Sequence, residues 1–227
     1  MSRSLRILIT GATGAVGPVV VRAFHDAGYA VRTLSLDRPP VGIWPDSVET
    51  VTGDITDASV VRTVMDGVDA VIHMAALLHI VNVSPELREK YESINVGGTN
   101  NVVHAAAEAG VKRIVLFSTI AVYGQSGGRV LTEDSKPCPD TYYAQTKLAA
   151  EQIVLNARGA DGRPLGTVLR FGAIYGFRIK GNYERLMHAL EKHRFIPIGK
   201  GLNRRTLIYN KDVGHAVVQA VFHPETV

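Results

Sequence analysis

An apolar run that ends in a glycine-rich turn and resumes as an apolar helix leaves a chain few ways to fold. Leu5-Arg6-Ile7-Leu8-Ile9-Thr10 reads as a strand, Gly11-Ala12-Thr13-Gly14-Ala15-Val16-Gly17 as the turn and Val19-Val20-Val21-Arg22-Ala23-Phe24 as the helix. That order opens a βαβ unit, and such units build parallel sheets covered on both faces. The glycines permit a tight turn and a close backbone approach to a pyrophosphate, whose charge is favoured at the amino end of the helix. The spacing is Gly-x-x-Gly-x-x-Gly. A tight turn without a ligand is the alternative, and the placement between strand and helix favours the dinucleotide.

The alternation then continues. A second strand spans Ala30 to Leu36, and a third, with a helix cap at Asp54 or Asp57, lies in Val48-Glu49-Thr50-Val51-Thr52-Gly53-Asp54-Ile55-Thr56-Asp57. A fourth spans Asp69 to Ala76, where His73 reads as a satisfied core histidine. A helix runs from Ile94 to the Gly110 stop, with Asn95 placed to cap it, and a fifth strand leads to Ser118-Thr119. A helix holding Tyr143 and a sixth strand from Pro164 to Phe171 follow. The pattern specifies an α/β, Rossmann-like, doubly wound parallel sheet.

Tyr143 and Lys147 stand four apart in Tyr143-Ala144-Gln145-Thr146-Lys147 and share one helix face. Thr119 ends a parallel strand, where open α/β sheets place their chemistry. A free tyrosine has a pKa of about 10. An ammonium and a nicotinamide cation nearby favour the phenolate, making Tyr143 an acid or base with the Thr119 hydroxyl fixing a substrate oxygen against it. An ordinary surface pair is the alternative for so short a motif. Tyr123 reads as packing under the cleft.

Composition removes other classes. The 227 residues are 46% hydrophobic and 20% charged, with no apolar run of transmembrane length and no signal-peptide core after Met1-Ser2-Arg3-Ser4, so a cytoplasmic protein is expected. The single cysteine, Cys138, rules out an intrachain disulfide, and the eight histidines show no metal-ligand spacing. Residues 1–157 carry 13 Lys and Arg against 16 Asp and Glu (−3), and 158–212 carry 12 against 4 (+8). That basic quarter suits a phosphate-bearing small substrate better than a nucleic acid, whose footprint the early half lacks.

Gly11-x-x-Gly14-x-x-Gly17, Gly53-Asp54-Ile55-Thr56-Asp57, Val71-Ile72-His73-Met74-Ala75-Ala76, Asn95-Val96-x-Gly98-Thr99, Phe117-Ser118-Thr119 with Val122-Tyr123-Gly124, Tyr143-x-x-x-Lys147 and Leu169-Arg170 with Tyr175-Gly176 occur in that order. The chain thereby resembles, along its whole length, the extended short-chain dehydrogenase/reductase family, the NAD-dependent epimerases and dehydratases of nucleotide sugars. The resemblance implies Thr119, Tyr143 and Lys147 as the catalytic trio and Asp54 with Ile55 as the adenine-contacting pair. It implies Gly11, Thr13, Gly14, Ala15, Val16, Gly17, Ala75, Ala76, Leu77, Asn95 and Phe171 as further cofactor contacts. Arg205, in Gly201 to Val213, matches an arginine that holds a substrate diphosphate.

The family's usual acid at the end of the second strand is Ser35 here, with Asp37 two residues later and Arg38 beside it. NAD is favoured and NADP stays open. Ile120-Ala121 stands where dehydratases carry Asp-Glu, which argues against elimination of water. The expectation is therefore a nucleotide-sugar epimerase. The alternatives are a dehydrogenase or reductase of a sugar or other small alcohol, and a dinucleotide-sensing regulator, against which Tyr-x-x-x-Lys counts. The resemblance also implies a homodimer formed through the helices bearing Asn100 to Ala109 and Tyr143 to Leu155, and the charge distribution and hydropathy lead to the expectation of no nucleic-acid or membrane partner. A dinucleotide-binding domain over 1–176 and a small substrate lobe over 177–227 are expected. Family members continue past the position of Val227, so the lobe is expected to be truncated.

Overall fold

The computed structural model describes residues 4–223 except 79, 81–83, 198 and 203. Met1-Ser2-Arg3, Asn203 of the basic segment and residues 224–227 of the expected lobe lie outside the described residues.

Six strands, β1 (Arg6–Thr10), β2 (Ala30–Ser35), β3 (Glu49–Thr52), β4 (Ala70–His73), β5 (Arg113–Thr119) and β6 (Gly166–Phe171), form a parallel sheet in the order β3-β2-β1-β4-β5-β6. The central strands β1 and β4 are buried almost throughout because helices cover both faces, whereas the edge strand β3 is polar and largely exposed. Ile7 and Ile9 of β1 pack with Val20, Val21 and Phe24 of α1 (Gly17–Asp26). Leu8 points the other way, into a cluster with Val61 and Val64 of α2 (Ala58–Val64). Strand order reverses between β1 and β4, and the crevice beyond their carboxyl ends is where such sheets take ligands.

The expected elements are present, with three corrections. β4 stops at His73, because the chain past it leaves the sheet to line the crevice. The helix read from Ile94 starts earlier, at α3 (Pro85–Tyr91), where the Ser84 hydroxyl accepts from the Leu87 amide at 3.3 Å. It passes through a π-helical stretch, Glu92–Gly98, into α4 (Thr99–Glu108). Asn95 therefore caps nothing; it sits buried mid-helix. Of the two candidate caps, Asp57 is the one that caps α2, accepting from the amides of Ser59 and Val60.

After β5 a single 3₁₀ turn, Ile120–Tyr123, leads on to α5 (Tyr142–Asn156). Beyond β6, a short β7 (Ala173–Tyr175) pairs in parallel with β8 (Leu207–Tyr209). Between them runs α6 (Asn182–Glu191), none of whose described side chains is buried. α7 (Asn210–Phe222) returns to the main body, where Val213 and Val217 join the α1 side of the core. Among the described residues, no helix is long and apolar enough to cross a membrane.

Candidate active site

The glycine turn does two jobs, separable by asking what a side chain would meet. A Cβ on Gly17 would lie 1.9 Å from the carbonyl oxygen of Ala12, and one on Gly11, at φ +71°, would lie 2.7 Å from the backbone of Ala75. Those two glycines serve the fold: one lets α1 start against the turn, the other lets β1 end against the segment after β4. Gly14 is different, since its Cβ would meet only the Gly11 carbonyl oxygen, at 3.1 Å. Its free space lies toward the cleft, and the Ala15 and Val16 amides ahead of α1 have no acceptor among the described residues. A pyrophosphate fits such a cradle.

The turn forms one wall of a cleft of about 520 Å³, the size of a small-molecule site. Gly11, Thr13, Gly14, Ala15, Val16, Gly17, Asp54, Ile55, Ala75, Ala76, Leu77, Thr119, Tyr143, Lys147 and Phe171 all line it. Asp37 and Arg38 are exposed beyond β2, and Leu36 lines the cleft in their place. The Ser35 hydroxyl accepts from the Thr13 amide at 3.2 Å, fixing turn to strand. Asn95 acts from beneath: its side chain accepts from the Leu77 amide at 2.7 Å and donates to the Leu77 carbonyl and to Thr146, each at 3.2 Å. Arg205 is exposed ahead of β8 and does not line the cleft.

The same cleft is lined by the trio expected from the resemblance, Thr119, Tyr143 and Lys147. Thr141 caps α5, its hydroxyl accepting from the Ala144 amide at 3.2 Å, so the first turn of that helix holds Tyr143 at the cleft. Lys147 is buried one turn further along the same face. The Thr119 hydroxyl accepts from the Ala121 amide at 3.1 Å, a bond that does not use its proton. Ser118 is not a rival, because its hydroxyl donates to the buried Glu151 carboxylate.

The electrostatics of the pair follow from burial. Burial, with Tyr91 close by, pushes the Tyr143 phenol up to about 12, and burial brings the Lys147 ammonium down to about 8 despite the Glu151 carboxylate. The protein alone thus keeps Tyr143 a proton donor. The phenolate expected from the sequence needs a cation at the nicotinamide position as well.

Further residues, not assigned from sequence, hold the site's shape. Glu151 binds Arg170 through Nε and Nη2, the shortest contact being 2.6 Å, and Arg170 donates to the Tyr123 hydroxyl at 2.7 Å. Tyr123 is buried as expected and serves as a polar anchor as well as packing. His73 is indeed a satisfied core histidine. Thr99 donates to the Asn95 carbonyl at 2.6 Å, so it accepts the His73 Nε2 proton at 2.9 Å, and Nδ1 accepts from Thr10 at 2.7 Å. Thr10 in turn accepts from the amides of Met74 and Ala75, each at 3.2 Å, setting the backbone that faces the glycine turn. Burial, reinforced by Lys147, brings His73 down to about 3 and keeps it neutral.

The model of the NAD dependent epimerase/dehydratase family matches residues 7–227. The 3 beta-hydroxysteroid dehydrogenase/Delta 5-->4-isomerase of Mycobacterium tuberculosis is 33% identical over 229 residues, covering 96% of this chain and 60% of that protein. The UDP-glucose 4-epimerase of Vibrio cholerae is 29% identical over 225 residues, covering 96% and 67%. Among solved structures, MoeE5 in complex with UDP-glucose and NAD superposes with a TM-score of 0.82 at 29% identity, covering 97% of this chain and 73% of that one. The chain thus spans about 60% of the length of the steroid dehydrogenase.

Proposed function

The chain belongs to the NAD-dependent epimerase/dehydratase family, and from that premise we propose that it binds NAD along the cleft and epimerises a nucleotide sugar by transient oxidation of one carbinol. The observation that carries this reading is the continuity of the site. The Gly14 cradle, the Ala75-Ala76-Leu77 wall and Thr119, Tyr143 and Lys147 all line one cleft, so that a single bound dinucleotide could meet all of them. Bound there, NAD would supply the hydride acceptor and a positive charge. Thr119 would hold the substrate oxygen, Tyr143 would exchange its proton, and Lys147 would hold the nicotinamide ribose and lower the Tyr143 pKa. Asp54 would face the adenosine end, Asp37 would favour NAD over NADP, and Arg205 would reach the substrate diphosphate from a small lobe beyond residue 176.

A second reading rests on a specific observation. The cleft's lining includes the apolar side chains of Leu77, Leu78, Ile94, Phe171 and Ile174, and Lys147 is the one cation lining it among the described residues. That suits a bulky apolar alcohol, as does the identity with a steroid dehydrogenase, and the reaction would then be a net oxidation or reduction.

A thermal-shift screen with NAD, NADP, UDP-, GDP- and dTDP-sugars and a 3β-hydroxysteroid ranks ligands, since stabilisation follows RT ln(1 + [L]/Kd). Tyr143→Phe, assayed on the best substrate, is expected to lose about 10²- to 10⁴-fold in turnover with NAD still bound. Near-normal turnover would sink the assignment of Tyr143. Stoichiometric NADH formation would favour the dehydrogenase over the epimerase.

A further inference from the structure

The carboxylate of Glu151 lies one helical turn below Lys147, on the face of α5 that also carries Tyr143, and is fully buried. It draws three elements together. The Ser118 hydroxyl donates to it from the end of β5, Arg170 donates to both its oxygens from β6, and it stands on α5. Arg170 also binds the Tyr123 hydroxyl and stacks 4.8 Å from that ring's centre. Ser118 precedes Thr119, and Tyr123 closes the 3₁₀ turn that Thr119 caps, so both flanks of Thr119 are tied to one ion pair. None of these three anchors is needed merely to pack the helix, which has apolar contacts through Ala150 and Val154 on its core side.

We propose that Glu151 is a positioning residue: it locks α5 against the ends of β5 and β6, and its negative charge keeps the buried Lys147 ammonium protonated in the wall of the cleft. The inference rests on the reading of Lys147 as the cofactor-facing cation. A lysine with no water around it loses its proton readily. The other titratable groups on surrounding elements do not offset that cost: Tyr143 on α5, Tyr91 on α3 and Tyr123 after β5 are phenols, and His73 on β4 is neutral. Arg170 on β6 is a cation and cannot favour a second positive charge on Lys147, and Glu92 in the π-helical stretch is exposed and bonded to Tyr142. Glu151 is the carboxylate that favours the charged lysine, and burial is the effect it opposes.

The experiment is a pH titration of the Lys147 ¹³Cε resonance by NMR in protein labelled at lysine, with Lys147→Met supplying the assignment. In Glu151→Gln the midpoint is expected to fall by about one unit or more, and Glu151→Asp should restore part of the shift. A general loss of packing would broaden resonances or lower the melting temperature without moving this midpoint in a defined direction. If Glu151→Gln does not fold, because it strands Arg170, the double variant Glu151→Gln with Arg170→Gln leaves no unpaired charge and is compared with Arg170→Gln, so that the Arg170 charge is absent from both proteins and the lower midpoint expected in the double variant is due to Glu151 alone. A midpoint within 0.3 unit (roughly the error of such a titration, against the tenfold change that one unit represents) overturns the inference. Calorimetry of NAD binding to Lys147→Met tests the underlying reading separately: unchanged affinity would remove Lys147 from the cofactor site whatever Glu151 does.

Discussion

His73 makes a pH test possible at the scale of one residue. It is fully buried between Thr99, which accepts its Nε2 proton, and Thr10, whose donation to Nδ1 requires the neutral ring, and burial brings its pKa down to about 3. In the unfolded chain it returns to about 6.5. Below that value the unfolded state binds a proton that the folded state refuses, so stability is complete above pH 6.5 and falls as pH drops toward 3. The slope contributed approaches about 1.4 kcal/mol per unit. Urea unfolding of the wild type and His73→Gln at several pH values between 7 and 4.5 should show the steeper loss in the wild type. Equal slopes would mean that His73 is not held neutral. At the same scale, Gly17→Ala is expected to cost the upper end of the roughly 1–3 kcal/mol typical of overpacking, or more, because its Cβ would overlap backbone that cannot retreat. A melting temperature near that of the wild type would contradict the account of Gly17.

The elements show where sequence reading succeeds and where it stops. The glycine turn and Tyr143-x-x-x-Lys147 are legible because their chemistry lies within one turn of helix or one loop, where spacing alone sets geometry. The Glu151 anchor is not, because Ser118 and Arg170 stand 33 and 19 residues from it and meet only once β5, β6 and α5 have packed. Asn95 misleads for a related reason. Its position before an apolar periodic stretch imitates a cap, while the helix has already begun in the polar run Pro85-Glu86-Leu87-Arg88-Glu89-Lys90, and Ser84 before Pro85 is the signal that would have found it. The true cap of α5 gives a prediction for that helix: Thr141→Ala should cost about 1 kcal/mol and loosen the turn that presents Tyr143. Denaturant unfolding measures the first effect, and an unchanged midpoint would show that Thr141 does not hold the helix start.

On the scale of the whole molecule, the chain after β6 divides between a part that belongs to the core and a part that stands away from it. α7 seals the α1 face through Val213 and Val217, both completely buried. Val217→Ala should cost about 2 kcal/mol as a cavity in a packed layer. Phe177, Ile196 and Leu202 are exposed in the basic stretch between β7 and β8, where Arg205 also lies. The doubly wound parallel sheet follows from the alternation of strands and helices, its strand order is seen only in the fold, and the expected lobe has no such periodic code, so the role proposed for it rests on charge. The central claim is that the crevice at the switch point is a dinucleotide site built around Gly14, and calorimetry of NAD with the wild type and Gly14→Val measures it most directly. Saturable one-to-one binding by the wild type, lost in Gly14→Val while circular dichroism shows its fold intact, is the predicted result. Equal binding by the two proteins would contradict it.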